Sequence, residues 1–155
     1  IIRIDENDKV DKISEKTITK IIINKNFKEY SAVVFSDYGK GLLDKKDIYK
    51  ISKHAYDLKI PTFLDTKYLF GSWSKEILIA KINNIEWEHN LKNNANPTDF
   101  CQNLIVSTGK NGAFYKNDVY PAASIDVVDQ SGAGDSLLAG IIIGYFEFDK
   151  KRRSG

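Results

Sequence analysis

The sequence predicts an α/β domain built on a largely parallel sheet. Two observations carry that expectation. Short apolar runs alternate along the chain with segments whose apolar residues recur at helical spacing, the pattern of strand–helix–strand units. Asp37, Asp65, Asn83 and Ser107 also each stand just after an apolar run, and in parallel sheets the loops at strand C-termini carry the ligands.

The elements follow in order. Residues 1–23 are rich in Ile, and Ile18, Ile21 and Ile22 are spaced to face a core from a helix. Residues 32–35 read as the first buried strand. Asp44 is placed to cap a helix on which Ile48, Ile51, Ala55 and Leu58 recur. Pro61 ends that pattern, and residues 62–64 form the second strand, closing on Asp65. Residues 77–80 are the third strand, after which Asn83 caps a short segment over 84–91. A polar loop over 93–97 leads to the fourth strand at 104–106. Residues 113–115 and 119–120 flank Asn117 and Asp118 as a hairpin. Val127 and Val128 then precede a turn at Gly132-Ala133-Gly134, and an apolar helix runs from residue 135 to about 146.

Of the 155 residues, 42% are hydrophobic and 28% charged, the balance of an ordered globular chain. The length fits one domain, and no repeat, low-complexity stretch or Pro/Gly/Ser-rich linker divides it. A net charge of +2, with Lys and Arg scattered, gives no footprint for nucleic acid. The exception, Lys150-Lys151-Arg152-Arg153, reads as a frayed, solvated end. The single cysteine, Cys101, makes an internal disulfide impossible and points to a reducing cytoplasm. His54 and His89 stand in no ligand spacing, so neither a zinc site nor a Cys-His nucleophile is expected. No apolar run reaches membrane-spanning length, and no membrane partner is expected. Ile1-Ile2-Arg3-Ile4-Asp5 lacks the features of a signal peptide, and Met is absent throughout, so a piece of a longer chain is expected.

The strongest chemical signal is Asp129-Gln130-Ser131-Gly132-Ala133-Gly134-Asp135. Two glycines permit a tight turn and close approach of a ligand to the backbone. The amides that follow stand at a helix start, where free N–H groups and the dipole favour an anion. Asp135 falls in the first turn, where a carboxylate can take the proton of an attacking hydroxyl. A plain turn with Asp135 serving the helix dipole is the simpler alternative for the short Gly-x-Gly-Asp piece.

This segment resembles the Asp-Thr-Thr-Gly-Ala-Gly-Asp signature of the PfkB/ribokinase family of carbohydrate kinases, matching five of seven positions. Gln130 departs from it and lacks the hydroxyl found there, while Ser131 is a conservative change. The resemblance implies that Asp135 is the catalytic base and that Gly132, Ala133 and Gly134 form the anion hole, with Asp129 beside the nucleotide. Asn83-Asn84-Ile85-Glu86 resembles the family's Asn-x-x-Glu motif, which implies that Asn83 and Glu86 place Mg²⁺ through water; Ile82 replaces the usual Pro. Alone, the same four residues also read as a helix-capping arrangement. Val106 to Gly112 resembles the Val-Thr-x-Gly-x-x-Gly nucleotide loop, with Ser107 at the Thr position and Gly109 and Gly112 matching. An ordinary turn between strands is the alternative there.

Ser36-Asp37-Tyr38-Gly39-Lys40-Gly41 resembles the Ser-Asp-Tyr-x-Lys-Gly segment of the heptose-phosphate kinase branch. Asp65-Thr66-Lys67 resembles that branch's Asp-Pro-Lys, with Thr66 replacing Pro. Arg3-Ile4-Asp5 matches a short sugar-contact stretch. Asp37, Lys40 and Lys67 are thereby implied in binding the sugar substrate; two solvated surface lysines is the competing reading.

The resemblance implies a ribokinase-like three-layer sandwich with a largely parallel sheet, incomplete at the N-terminal part and lid. Residues 1–155 would be the C-terminal half of that kinase domain. The implied activity is ATP-dependent phosphorylation of a sugar or sugar-phosphate hydroxyl, a heptose phosphate before fructose phosphates, ribose or nucleosides. ATP and Mg²⁺ are the implied cofactors, and a homodimer of the full-length protein stays open. A non-catalytic nucleotide- or sugar-binding module remains an alternative on the strength of Gln130. A dinucleotide-dependent oxidoreductase lacks support, because no Gly-x-Gly-x-x-Gly follows the first strand.

Overall fold

The computed structural model describes residues 10–123 and 132–154. One six-stranded sheet runs in the order β1 (Val33–Asp37), β2 (Thr62–Thr66), β3 (Ile79–Asn83), β4 (Leu104–Ser107), β5 (Ala113–Tyr115) and β6 (Asp118–Tyr120). The first four strands are parallel and the last two are antiparallel. The helices are α1 (Glu15–Ile22), α2 (Lys45–Asp57), α3 (Asn84–Lys92) and α4 (Ala133–Ser154).

Register divides the parallel strands into two chemically different faces. Phe35, Leu64 and Ala80 pair across β1, β2 and β3, and with Ile82 they bury 0–4% exposed against Ile48, Ile51 and Ala55 of α2. Ile18 of α1 joins the same core, and Ile21 and Ile22 pack against it, as their spacing predicts. Alternate residues point to the other face. There Phe63 meets Tyr145 of α4 edge-on at 5.6 Å between ring centroids. Thus α1 to α3 cover one face and α4 the other, giving three layers.

Caps fix the helix starts. Asp44 Oδ1 accepts from the Asp47 amide at 2.8 Å, and Asp47 Oδ2 accepts from the Asp44 amide at 3.1 Å, closing a reciprocal box at the start of α2. Lys12 bridges both carboxylates. Its ammonium, with smaller help from the Asp47 backbone, pulls the Asp44 pKa down to about 2. A carboxylate lowered by folding stabilises above its ordinary range and loses that contribution as pH falls through its folded value. The expected result is therefore acid sensitivity between about pH 4 and 2 that Asp44→Asn removes while keeping a cap. Helical circular dichroism across that window, in both proteins, checks it; equal acid slopes would refute the assignment.

Three expectations shift. The third strand spans Ile79–Asn83 rather than 77–80. Ile77 is buried before the strand begins, and the Leu78 amide bonds to the Thr62 carbonyl. In the hairpin, β6 starts at Asp118, and the turn falls on Lys116, at φ +55°, and Asn117. Helix α4 starts two residues earlier than predicted and continues to Ser154 instead of ending near 146. Lys150 and Lys151 are therefore exposed helical residues and not a frayed end; Glu and Lys are strong helix formers, so charge alone does not stop a helix. Val127, Val128, Asp129, Gln130, Ser131 and Arg3-Ile4-Asp5 lie outside the described residues.

Candidate active site

The polar residues predicted at strand ends gather along one edge of the sheet. Asp37 pairs in register with Thr66, and Asn83 with Ser107. The loop after β1 is held by Asp37, whose Oδ1 accepts from the Gly39 amide at 3.0 Å. Gly39 has φ +70°, a conformation that favours glycine. Asp37 Oδ2 accepts from the Thr66 hydroxyl at 2.8 Å, and the Thr66 oxygen in turn accepts from the Tyr68 amide at 3.0 Å. Thr66, where the resemblance has Pro, thus supplies a cross-strand tie that proline lacks. Lys40 sits half-buried in this loop, and its carbonyl accepts from the Val10 amide.

Beneath the start of α4 lies a buried ion pair. Lys81 is 4% exposed, and its ammonium contacts Asp65 Oδ2 at 2.5 Å. Asp65 and Lys81 are register partners on the α4 face of β2 and β3. Burial pushes the Asp65 carboxyl above its usual range, and Lys81 offsets this only in part. A Cβ at Gly134 would lie 2.8 Å from the Lys81 ammonium, so a glycine lets the helix start settle directly on that charge. Gly132, at φ +75°, has open space where its Cβ would stand, and its carbonyl begins the helix ladder by accepting from the Ser136 amide. Among the described residues, no side chain accepts from the amides of Ala133, Gly134 or Asp135.

Asn83 and Glu86 form the capping box of α3. Asn83 Oδ1 accepts from the Glu86 amide and Glu86 Oε2 from the Asn83 amide, both at 2.8 Å. Glu86 Oε1 accepts from Lys67, an ion pair that joins the end of β2 to α3. Burial works against the Lys67 ammonium, but Glu86, helped by Asp65 and Asp37, outweighs it and raises its pKa. Lys67 is therefore a bridge between elements rather than a lone surface lysine.

Ser107 donates to the Ile82 carbonyl at 3.3 Å and ties the end of β4 to β3. The loop beyond it closes when the Thr108 amide and hydroxyl both bond to the Gly112 carbonyl, at 2.8 and 3.0 Å. Gly112 has φ +92°, and a Cβ there would meet the Tyr120 carbonyl at 1.9 Å, so the hairpin itself demands glycine. Gly109, at φ +59°, has open space around the equivalent position.

Asp135 stands in the first turn of α4, where its Oδ2 accepts from the Tyr38 hydroxyl at 2.8 Å. Asp37, Asn83, Glu86, Lys67 and Ser107 thus share the strand-end edge, and Gly134 and Asp135 reach it through Lys81 and Tyr38. Gly109 and Gly112 stand further along, against the hairpin. Two residues escaped sequence reasoning. Lys81 falls just beyond the strand expected at 77–80, and only its register with Asp65 reveals it as a buried strand residue. Tyr38 lay inside a recognised segment but carried no chemical signal of its own. A cavity of about 910 Å³ lies at the opposite end of the sheet, between Tyr56, Ile60, Glu76, Asn103 and Tyr145, away from this cluster.

The layered fold and the polar residues at its strand ends define a ribokinase-like α/β domain. The chain belongs to the pfkB family of carbohydrate kinases, which residues 51–154 match. Among curated relatives, the bifunctional protein HldE of Campylobacter jejuni (strain RM1221) is 33% identical over 156 residues. That match covers 90% of this chain and 33% of the relative. The protein of the same name from Aliarcobacter butzleri is 30% identical over 150 residues, covering 85% and 32%. The chain thus spans about a third of the length of the curated relatives it matches. A mutant of Escherichia coli phosphofructokinase-2 superposes with a TM-score of 0.69 at 15% identity, covering 87% of this chain and 51% of that one. Arabidopsis thaliana ribokinase, complexed with ribose and ATP, gives 0.58 at 16% identity, covering 90% and 48%. These two likenesses concern the fold.

Proposed function

We propose that residues 1–155 form the C-terminal half of a sugar-kinase domain that moves the γ-phosphate of ATP onto a hydroxyl of a heptose phosphate. One observation carries this reading: a carboxylate, Asp135, stands in the first turn of a helix whose glycine start rests at the C-terminal edge of the sheet. The family supports a kinase, and the HldE relatives support a heptose phosphate.

In the proposed reaction Asp135 takes the proton of the acceptor hydroxyl as its oxygen bonds to the γ-phosphorus. The bond from that phosphorus to the bridging oxygen breaks, and ADP leaves with the electron pair. Amides of Gly132, Ala133 and Gly134 stabilise charge on the migrating group. Ser107, Gly109 and Gly112 border the nucleotide with Asp129, while Asp37, Lys40 and Lys67 lie on the acceptor's side. Both oxygens of Glu86 already accept one protein hydrogen bond, so Asn83 and Glu86 suit a hydrated Mg²⁺ held through water rather than a closed cage. When bound, that ion would neutralise phosphate charge.

No helix among the described residues is long and apolar enough to cross a membrane. The parent is proposed to act on small molecules in the cytoplasm, where the buried thiol of Cys101 suits reducing conditions. The test is a screen of the full-length parent for ATP-dependent phosphorylation of heptose 7-phosphate, fructose phosphates, ribose and nucleosides. Heptose 7-phosphate should give the highest kcat/KM, by about tenfold or more, a gap of ~1.4 kcal/mol. Preference for another sugar would move the substrate assignment, and no ATP-dependent transfer to any would end the kinase reading.

A further inference from the structure

The contact between Tyr38 and Asp135 joins the loop after β1 to α4, across 97 residues of sequence. Its two ends are unequally fixed. Tyr38 sits between Asp37 and Gly39, and that loop is pinned because Asp37 bonds to both the Gly39 amide and the Thr66 hydroxyl. Asp135 hangs from the first turn of α4, and the terminal torsion of an aspartate is broad and roughly two-fold, so the helix start alone does not fix the plane of its carboxylate. Tyr38 is 56% exposed, so this hydrogen bond adds little to folding stability. A bond of small structural worth, placed on the carboxylate that the kinase reading needs, calls for a different account.

We propose that Tyr38 is a positioning residue: its hydroxyl holds Oδ2 of Asp135, fixing the carboxylate's rotation and leaving Oδ1 to meet the acceptor hydroxyl. The inference rests on the kinase reading above. A phenol can do this because it is a donor on a stiff side chain. Orientation of a reacting group within a few tenths of an ångström is worth large factors in rate. The donor also persists at neutral pH. The bond to Asp135 raises the Tyr38 pKa first, and burial and the charges of Asp135 and Asp65 add to it, against an opposing effect of Ser36. Losing the phenolic proton would set two anions side by side.

The rival account is that the phenol merely occupies the acceptor's place and is displaced by it. Kinetics of the full-length parent separate the two, with heptose 7-phosphate or whichever sugar the screen shows to be phosphorylated. Tyr38→Phe should lower kcat about ten- to a hundredfold while KM for ATP stays within about twofold. An unchanged kcat, or a lower acceptor KM with kcat intact, would overturn the proposal. A second measurement needs no substrate. With tyrosine labelled at Cζ with ¹³C, the Tyr38 phenol should ionise at lower pH in Asp135→Asn than in the wild type; equal titrations would show that the contact is absent in solution. Failure of the wild-type parent to phosphorylate any sugar is a separate outcome, which removes the kinase reading and the role of Tyr38 with it.

Discussion

Replacing Asp135 with Asn should lower phosphoryl transfer by about 10²–10⁴-fold in the full-length parent, the range general-base catalysis supplies. The substitution is close to isosteric. Asn keeps an oxygen that can accept from Tyr38, and it leaves the glycine start on Lys81 untouched. It removes the capacity to take a proton. Asp135 is proposed to act on the acceptor hydroxyl and not on the nucleotide, so ATP affinity measured by calorimetry should stay within about twofold. Loss of rate with affinity retained is the signature of a group that acts in the transition state. Equal turnover by the variant would remove Asp135 from the chemistry, and joint loss of binding and rate would make it a structural residue.

The second large effect is on stability. Lys81→Met should destabilise the parent by about 3–5 kcal/mol, because it strands a buried carboxylate without its cation. Asp65 has 14% of its side chain exposed, and its carboxyl is already pushed up by burial with Lys81 present. Without that ammonium the push grows. A carboxyl whose folded pKa lies above its unfolded one favours folding at low pH and loses that advantage as pH rises through the folded value. The deficit of Lys81→Met should therefore be smallest in acid and widen toward neutrality. Adding Asp65→Asn should recover most of the loss, since removing both charges is far milder than removing one. Urea unfolding of the two variants and the wild type across that pH range checks the pattern. A deficit independent of pH, or a double variant as unstable as the single one, would mean that packing rather than charge is at stake.

The sheet and its caps were largely legible in the sequence because they rest on local signals. Asp44 and Asn83 have short oxygen-bearing side chains placed one residue before a helix, and the structure uses both in reciprocal boxes. The runs that became β1, β2 and β4 are apolar enough to declare themselves. The third strand differs from the one expected at 77–80 because Lys81, buried on the α4 face, and Asn83 interrupt its apolar run, and their polarity hides a strand. Helix α4 was cut short for a related reason: Glu147, Lys150 and Lys151 read as an ending, yet a helix tolerates charge on an exposed side. At the site, the segments carrying Asp37, Asn83, Ser107 and Asp135 were visible, but their mutual arrangement was not. That Thr66 ties Asp37, that Glu86 bonds to Lys67, and that Tyr38 holds Asp135 are facts of register and tertiary approach. No local periodicity encodes them.

The two faces of the sheet also imply an order of assembly. The face covered by α1, α2 and α3 is completed by segments close in sequence, so it can form while synthesis continues. The opposite face takes its cover from α4, which follows all six strands in the chain, so Phe63 and the Lys81–Asp65 pair gain this helix after the strands that carry them. A ribosome stalled before residue 133 would hold the six strands without α4, and Phe63 without its contact to Tyr145. Arrival of α4 would bring Tyr145 onto Phe63 and set Asp135 beside Tyr38 in one step, joining the cover of that face to the assembly of the site.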